Sequence, residues 1–323
     1  MRCQSPPPRT VTPVTSPDDT LNPAQREVLD LLGAAPGERP RFDPGLGRAL
    51  QAELEAGLAP LLDRLPERER LWVTKHDLAQ IHGCEARYLA ERDRPFTWTP
   101  PMARGAVAHK AIELGAHLAD QRTPLELVDE AIASLTDSQD GLGDWLATCG
   151  PTLRAEVRAE ANDRVAKFAE CFPPLRPSWY PVTESRCRVE LFEGRIVLAG
   201  KIDLSLGRAT GTTAGKVLID FKTGGFAPNH LDDLRFYALL ETVRLGVPPR
   251  LVATYYLDAA RVLPETVTTD LLEAALRRTV DGADRLVALR HEGAAPALRP
   301  GPPCRWCPLL EDCEEGYAYD DDD

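Results

Sequence analysis

Apolar residues along this chain keep two different rhythms. Between residues 21 and 32 they recur at helical spacing: Val28, Leu29, Leu31 and Leu32 make one face, Asn22 can cap the first turn and Pro23 suits its start. Residues 46–65 carry a longer amphipathic pattern, again helical. The stretch 73–92 opens with a polar cap and continues with helical periodicity, and further helices are expected over 105–118, 125–135 and 153–171. The rhythm then drops to alternation. Residues 182–191, 195–206 and 216–222 read as strands rich in β-branched side chains, followed by a helix at 231–245, a strand at 251–257 and a helix at 271–291. Helices, a run of strands and then helix–strand–helix predict an α/β core with a mixed central sheet flanked by helices. Around it lie a Pro/Ser/Thr-rich tail expected to be disordered (1–21), a helical extension (22–70), the main domain with its cysteine-rich end (71–316) and an acidic tail (317–323).

Composition narrows the function classes. The chain has 323 residues, 43% hydrophobic and 27% charged, an ordinary balance for a globular protein. No apolar run is long enough for a membrane helix, and the proline-rich N-terminus does not resemble a secretory signal, so the expected setting is the cytoplasm without membrane partners. The net charge of −12 argues against a passive coat on nucleic acid. It does not exclude chemistry on phosphates, because carboxylates that hold divalent ions add negative charge which the ion then reverses. Residues 211–217 lack the phosphate-loop pattern, which removes an ATPase reading.

The chemistry-bearing stretches are Gly200-Lys201-Ile202-Asp203 and, on the next strand, Asp220-Phe221-Lys222-Thr223-Gly224. Strand side chains alternate faces, so Asp220 and Lys222 point the same way. Two carboxylates and an ammonium on neighbouring strands can form a site for Mg²⁺ or Mn²⁺, ions that take oxygen ligands and supply charge and an acidified water to a phosphodiester. Lys222 can orient or deprotonate that water. Glu184 and Glu190 precede the Asp203 strand and read as a solvated face, with Glu184 able to reach the outer shell of an ion. Alone, His109 would read as a packed or surface helical histidine.

These stretches resemble the motifs of RecB-like nucleases of the PD-(D/E)XK class. Arg104-Gly105-Ala106-Val107-Ala108-His109 is similar to their R-G-x-x-x-H helix, residues 200–203 to G-x-x-D, residues 220–224 to D-x-K-T-G, and Tyr237 to the tyrosine of Q-x-x-x-Y. The resemblance spans roughly residues 73–316 and implies a restriction-endonuclease-like core. It further implies His109, Asp203 and Asp220 as metal ligands with the carbonyl of Phe221 a fourth, and Lys222 as the catalytic lysine. Asp233 and Tyr237 are implied substrate contacts, and Arg104 is either a phosphate contact or a helix-start salt bridge. Asp233 stands where the family has glutamine, which puts its contact to DNA or to the lysine in doubt.

Cysteine usage adds a second feature. Cys304, Cys307 and Cys313 crowd a proline-flanked tail, while Cys3, Cys149, Cys171 and Cys187 are scattered as ordinary residues are. Three clustered thiols in a reducing compartment point to a soft metal, which needs a fourth ligand. Cys84 opens C-E-A-R-Y, which resembles the C-P-x-x-Y/F of AddB-type nucleases, where one cysteine before the core and three after it hold a [4Fe–4S] cluster. Zn²⁺ is the competing occupant. Such a staple would close a loop of more than two hundred residues, worth about 4–5 kcal/mol or more by loop-closure arithmetic.

The resulting expectation is a metal-dependent DNA nuclease, an exonuclease or single-strand/flap processor acting on single strands or free ends in repair, recombination or defence. Two rivals stay open: an inert nucleic-acid-binding module, and a nuclease subunit active only beside a helicase partner. Trp98, Trp145, Trp179 and Trp306 could stack on bases or pack at the rim, and Arg87, Arg92 and Arg94 could follow a phosphate backbone or solvate a helix.

Overall fold

The computed structural model describes residues 20–92, 94–117, 122–137 and 141–321; most of the tail expected to be disordered lies outside them. Six strands make one mixed sheet: β1 (Leu71–Thr74), β2 (Val182–Leu191), β3 (Ile196–Leu206), β4 (Val217–Lys222), β5 (Leu251–Tyr256) and β6 (Arg261–Thr266). The long strand β3 organises it. β2 pairs antiparallel along one edge of β3, from Leu191↔Ile196 to Val182↔Ser205. The other edge is shared, β1 running parallel beside residues 196–199 and β4 antiparallel beside 204–206. Residues 200–203 therefore have no strand on that edge, and the C-terminal ends of β1 and β4 both point into the gap. β5 continues parallel to β4, and β6 closes the sheet antiparallel to β5.

Helices cover both faces. α1 (Pro23–Leu32), α5 (Pro100–His117), α6 (Pro124–Thr136), α7 (Leu142–Thr148) and α8 (Pro151–Cys171) pack on one; α2 (Leu46–Leu58), α3 (Lys75–His82), α9 (Asn229–Leu245) and α10 (Thr269–His291) pack on the other. The second layer buries Leu50, Leu54, Leu58, Leu239 and Leu286 against Val73, Leu198 and Val252. Each such side chain contributes roughly 1.5–3 kcal/mol. α4 (Glu85–Arg92) follows α3, and α11 (Glu314–Asp321) forms in the segment expected to be an acidic tail.

The face that β3 presents changes part-way along it. Ile196, Leu198 and Ile202 belong to the α2/α9/α10 core, yet Leu204 and Leu206 belong to the α1/α5/α8 core. The switch falls at Asp203. Opposite it, Glu184 takes a left-handed backbone with φ of 51°, a conformation non-glycine residues adopt rarely and mostly where a site demands it.

Asn22 caps α1 through a reciprocal bond with Gln25, as its position predicts. Four expectations need correction. Residues 71–74 form a strand that was not expected, because Leu71 and Val73 alternate inward; its last residue, Thr74, is the polar cap of α3 as read. The helix at 46–65 stops at Leu58, where Pro60 cannot continue the hydrogen-bond ladder. α7 was not expected. Nor was β6, whose Pro264 disguises it; an edge strand tolerates that residue.

Candidate active site

The sheet register sets three acids in a row. Asp203 on β3 lies opposite the position of Glu184 on β2, and continuing the β3–β4 register from Leu204↔Ile219 brings it opposite Asp220. Residues directly opposite in antiparallel strands share a face. Where the β3–β4 ladder ends, the Phe221 N–H donates to Asp203 Oδ2 at 2.7 Å, so a carboxylate takes the place of a ladder carbonyl and the strands part. His109 arrives from α5 with Nδ1 3.5 Å from Asp203 Oδ1. Gly105, one turn earlier, lets α5 come close: a Cβ there would lie 3.0 Å from Thr223 Oγ1. His109, Glu184 and Asp203 each offer a ligand atom within 4.8 Å of the others. The expected solvated setting of Glu184 is thus corrected; it faces the site, paired with Lys201.

Two lysines meet Asp220, which is only 1% exposed. Lys75, the first residue after β1, donates to Oδ1 at 2.8 Å, and Lys222 Nζ lies 2.9 Å from Oδ2. Lys222 also donates to Asp233 Oδ2 at 2.8 Å. The second contact to Asp220 is short but poorly angled, leaving Oδ2 buried without a hydrogen-bond donor. Burial opposes ionisation of Asp220, but Lys75 and then Lys222 outweigh it and hold its pKa down at about 2. Burial likewise works against charge on Lys222 and Lys75, yet the facing carboxylates, Asp220 foremost, keep both ammonium groups protonated above their ordinary range. His109 is also raised: desolvation lowers it, and Asp203, Asp220 and Glu184 more than compensate.

Tyr237, from α9, sits beneath this cluster. Its hydroxyl accepts the Lys201 N–H at 3.4 Å, filling part of the gap on β3, and Lys75 lies over its ring. Burial pushes the phenol pKa well up, so it stays neutral. A Cβ on Gly200 would come within 2.1 Å of the Tyr237 ring, so only glycine admits the tyrosine here. His109, Glu184, Lys201, Asp203, Asp220, Lys222, Lys75 and Tyr237 line a cavity of about 570 Å³. Its carboxylates are Glu113, Glu184, Asp203 and Asp220, facing Lys75, Lys110, Lys201, Lys222 and the His109 imidazole, with Asp233 behind Lys222; the oxygen-rich set suits a hard divalent cation.

The sequence profile of the PD-(D/E)XK nuclease superfamily matches residues 74–314. The chain belongs to that superfamily. It is a nuclease with a candidate metal site of the kind those divalent-metal enzymes use. Two solved structures resemble it. One is of a protein from Eubacterium rectale provisionally named an exonuclease, at 12% identity over 76% of this chain and 88% of that one, with a TM-score of 0.47. The other is of SSO0001, at 13% identity over 83% and 96%, with a TM-score of 0.35. No curated protein matches the chain.

Other predicted residues of the nuclease fall outside the cavity. Arg104 pairs with Glu160 on α8. Arg87 pairs with Glu91 along α4. Trp145 and Trp179 pack against the core and Trp306 is 73% exposed, whereas Trp98 packs on the core and also lines the cavity. Lys75 was missed. Its signal was present: a short apolar strand ending on a charged residue, the same logic that exposes Asp220.

All four expected cysteines line one small cavity between α4 and the tail. Glu85 brings them together. It is 1% exposed, binds Arg285 and accepts the Ala297 N–H at 2.8 Å, while its own N–H donates to the Ala297 carbonyl at 3.2 Å. A proline there, as the resembling motif has, could not make that last bond. Cys304 Sγ and Cys313 Sγ each accept a backbone N–H at 3.4 Å, from Gly301 and Gly316. Among the described residues, no three cysteine sulfurs lie within 4.8 Å of one another. No helix among the described residues is long and apolar enough to cross a membrane.

Proposed function

We propose that the nuclease acts on DNA, as a Mg²⁺- or Mn²⁺-dependent exonuclease or single-strand/flap processor working on single strands or free ends, in repair, recombination or defence. The observation that carries this is the row Glu184–Asp203–Asp220 at one level of three strands, with His109 and Lys222 on the same cavity. In this reading His109, Asp203, Asp220 and the Phe221 carbonyl hold the ion, and Glu184 joins them. The ligand atoms of His109, Glu184 and Asp203, all within 4.8 Å of one another, support the fit. A bound divalent ion would draw charge from the phosphate and acidify a water. Lys222, held protonated by Asp220 and Asp233, donates to the attacking water or a phosphate oxygen and offsets charge as it develops. Asp233 replaces glutamine as the group that aims Lys222. Tyr237 holds the β3 gap rigid by bonding the Lys201 N–H.

Cys84, Cys304, Cys307 and Cys313 hold a [4Fe–4S] cluster in this reading. Zn²⁺ is the competing occupant of the same four thiolates. The backbone N–H groups aimed at Cys304 and Cys313 suit thiolates.

The test is digestion of single-stranded, blunt linear and closed circular DNA with Mg²⁺ or Mn²⁺, beside Lys222→Ala. Cleavage that needs an end or a single strand, and that the variant lacks, supports the proposal. An intact protein that binds but leaves every substrate uncut would make it a binding module, and cleavage only with a co-purifying ATPase would make it a helicase-dependent subunit.

A further inference from the structure

The other end of β4 borders a second cavity, of about 350 Å³, which shares no residue with the carboxylate site. Its floor is apolar, built by Leu29, Leu32, Phe172, Leu206 and Val217, with Trp179 at the wall. Arg39, Arg208 and Arg250 also line it, and among the described residues no acid does. Several other half-buried arginines have carboxylates: Arg64 has Asp284 and Glu292, Arg164 has Asp258, Arg235 has Glu265.

Arg250 is the clearest exception. Its guanidinium donates to the Leu32 carbonyl, while its Nε is buried without a partner. Burial first, and then the neighbouring charge of Arg39, pull its pKa below the usual range. Arg208 lies on the rim, 4.1 Å above the Tyr180 ring centroid. Gathered guanidinium groups without counter-charge are unfavourable unless an anion completes them, and their forked donors fit a phosphate. The volume falls in the range of small-ligand pockets.

We infer that this cavity binds a mononucleotide, its phosphate on Arg39, Arg208 and Arg250 and its base on the apolar floor beside Trp179. The inference does not depend on the nuclease reading, because the two cavities share no residue.

Calorimetric titration of the full chain, with a chelator present to keep divalent ions from the carboxylates, tests it with dAMP, deoxyadenosine and inorganic phosphate. The expected result is saturable binding of dAMP, with nucleoside or phosphate alone at least tenfold weaker. Arg250→Ala should weaken dAMP at least tenfold. Because that change also removes a tie to α1, Arg208→Glu on the exposed rim gives an independent reading and should do the same in a folded protein. Asp220→Asn should bind as the parent does. No dAMP binding, unchanged binding in Arg208→Glu, loss of binding in Asp220→Asn, or phosphate binding as tightly as dAMP would each overturn the assignment.

Discussion

The sheet site and the cysteine cavity are built by opposite means. At the sheet site, strands and helices deliver the groups: register aligns Glu184, Asp203 and Asp220 at a local irregularity, and helices deliver His109 and Asp233. Its charges neutralise one another before any ligand arrives. The cysteine cavity lies in short turns, and residues some two hundred positions apart meet there through Glu85, Arg285 and Ala297. Removing a group from the first should therefore damage chemistry more than stability, and removing one from the second should do the reverse.

The sharpest way to break this contrast is Lys222→Ala. DNA hydrolysis should fall about 10²–10⁴-fold while circular dichroism stays native, the range typical of a lost proton-handling or charge-stabilising group. An unfolded variant would erase the distinction. Cys304→Ala should lose about 4 kcal/mol or more of unfolding free energy in denaturant titrations, together with any visible absorption band of the anaerobic protein, while residual folded enzyme keeps its metal dependence. Glu184→Gln should weaken Mn²⁺ binding about 10–100-fold by calorimetry, with little change in melting; unchanged affinity would return Glu184 to the role of a strand-face acid.

A pH series on the chelated protein tests the charge pairing. Asp220 titrates near 2 in the folded chain against an ordinary value of 3.8. Its ionised form thus contributes stability that is present above about pH 4 and lost as pH falls toward 2, roughly 2 kcal/mol in all. Lys75→Met should remove most of that contribution at neutral pH and flatten the acid limb of the urea midpoints; a parallel acid limb would mean that Lys75 does not hold Asp220 ionised. The smallest effect belongs to Arg104→Ala. Its partner Glu160 keeps 45% of its side chain exposed, so the pair should be worth less than about 1 kcal/mol and cleavage should persist; a large fall in rate would instead restore Arg104 as a phosphate contact.

Spacing put Asp220 and Lys222 on one strand face, and the family resemblance supplied His109 and the ligand roles. Asp220 and Lys222 sit two apart in an apolar strand, whereas the register that brings Asp203 level with Asp220 is seen only in the sheet. Lys75 could not be read so easily, because β1 is four residues long and merges into the cap of α3. Glu184 was hidden for another reason. Alternation assigns a face only while a strand stays regular, and β2 and β3 both change face at the level of this residue and Asp203. Cys304, Cys307 and Cys313 stood out by clustering and Cys84 by its resemblance to a family motif, but the link that seats them, Glu85, looked like a departure from that motif.

The missing side chain at residue 200 has a reach beyond its own position. With a methyl group there, the ring of Tyr237 would have to retreat, and α9 would carry Asp233 away from Lys222 with it. A letter of the motif with no reactive atom thus acts as a spacer gauge for the reaction chamber. Enlarging it should be tolerated only alongside a slimmer residue at 237, a paired change that comparison of homologues could reveal.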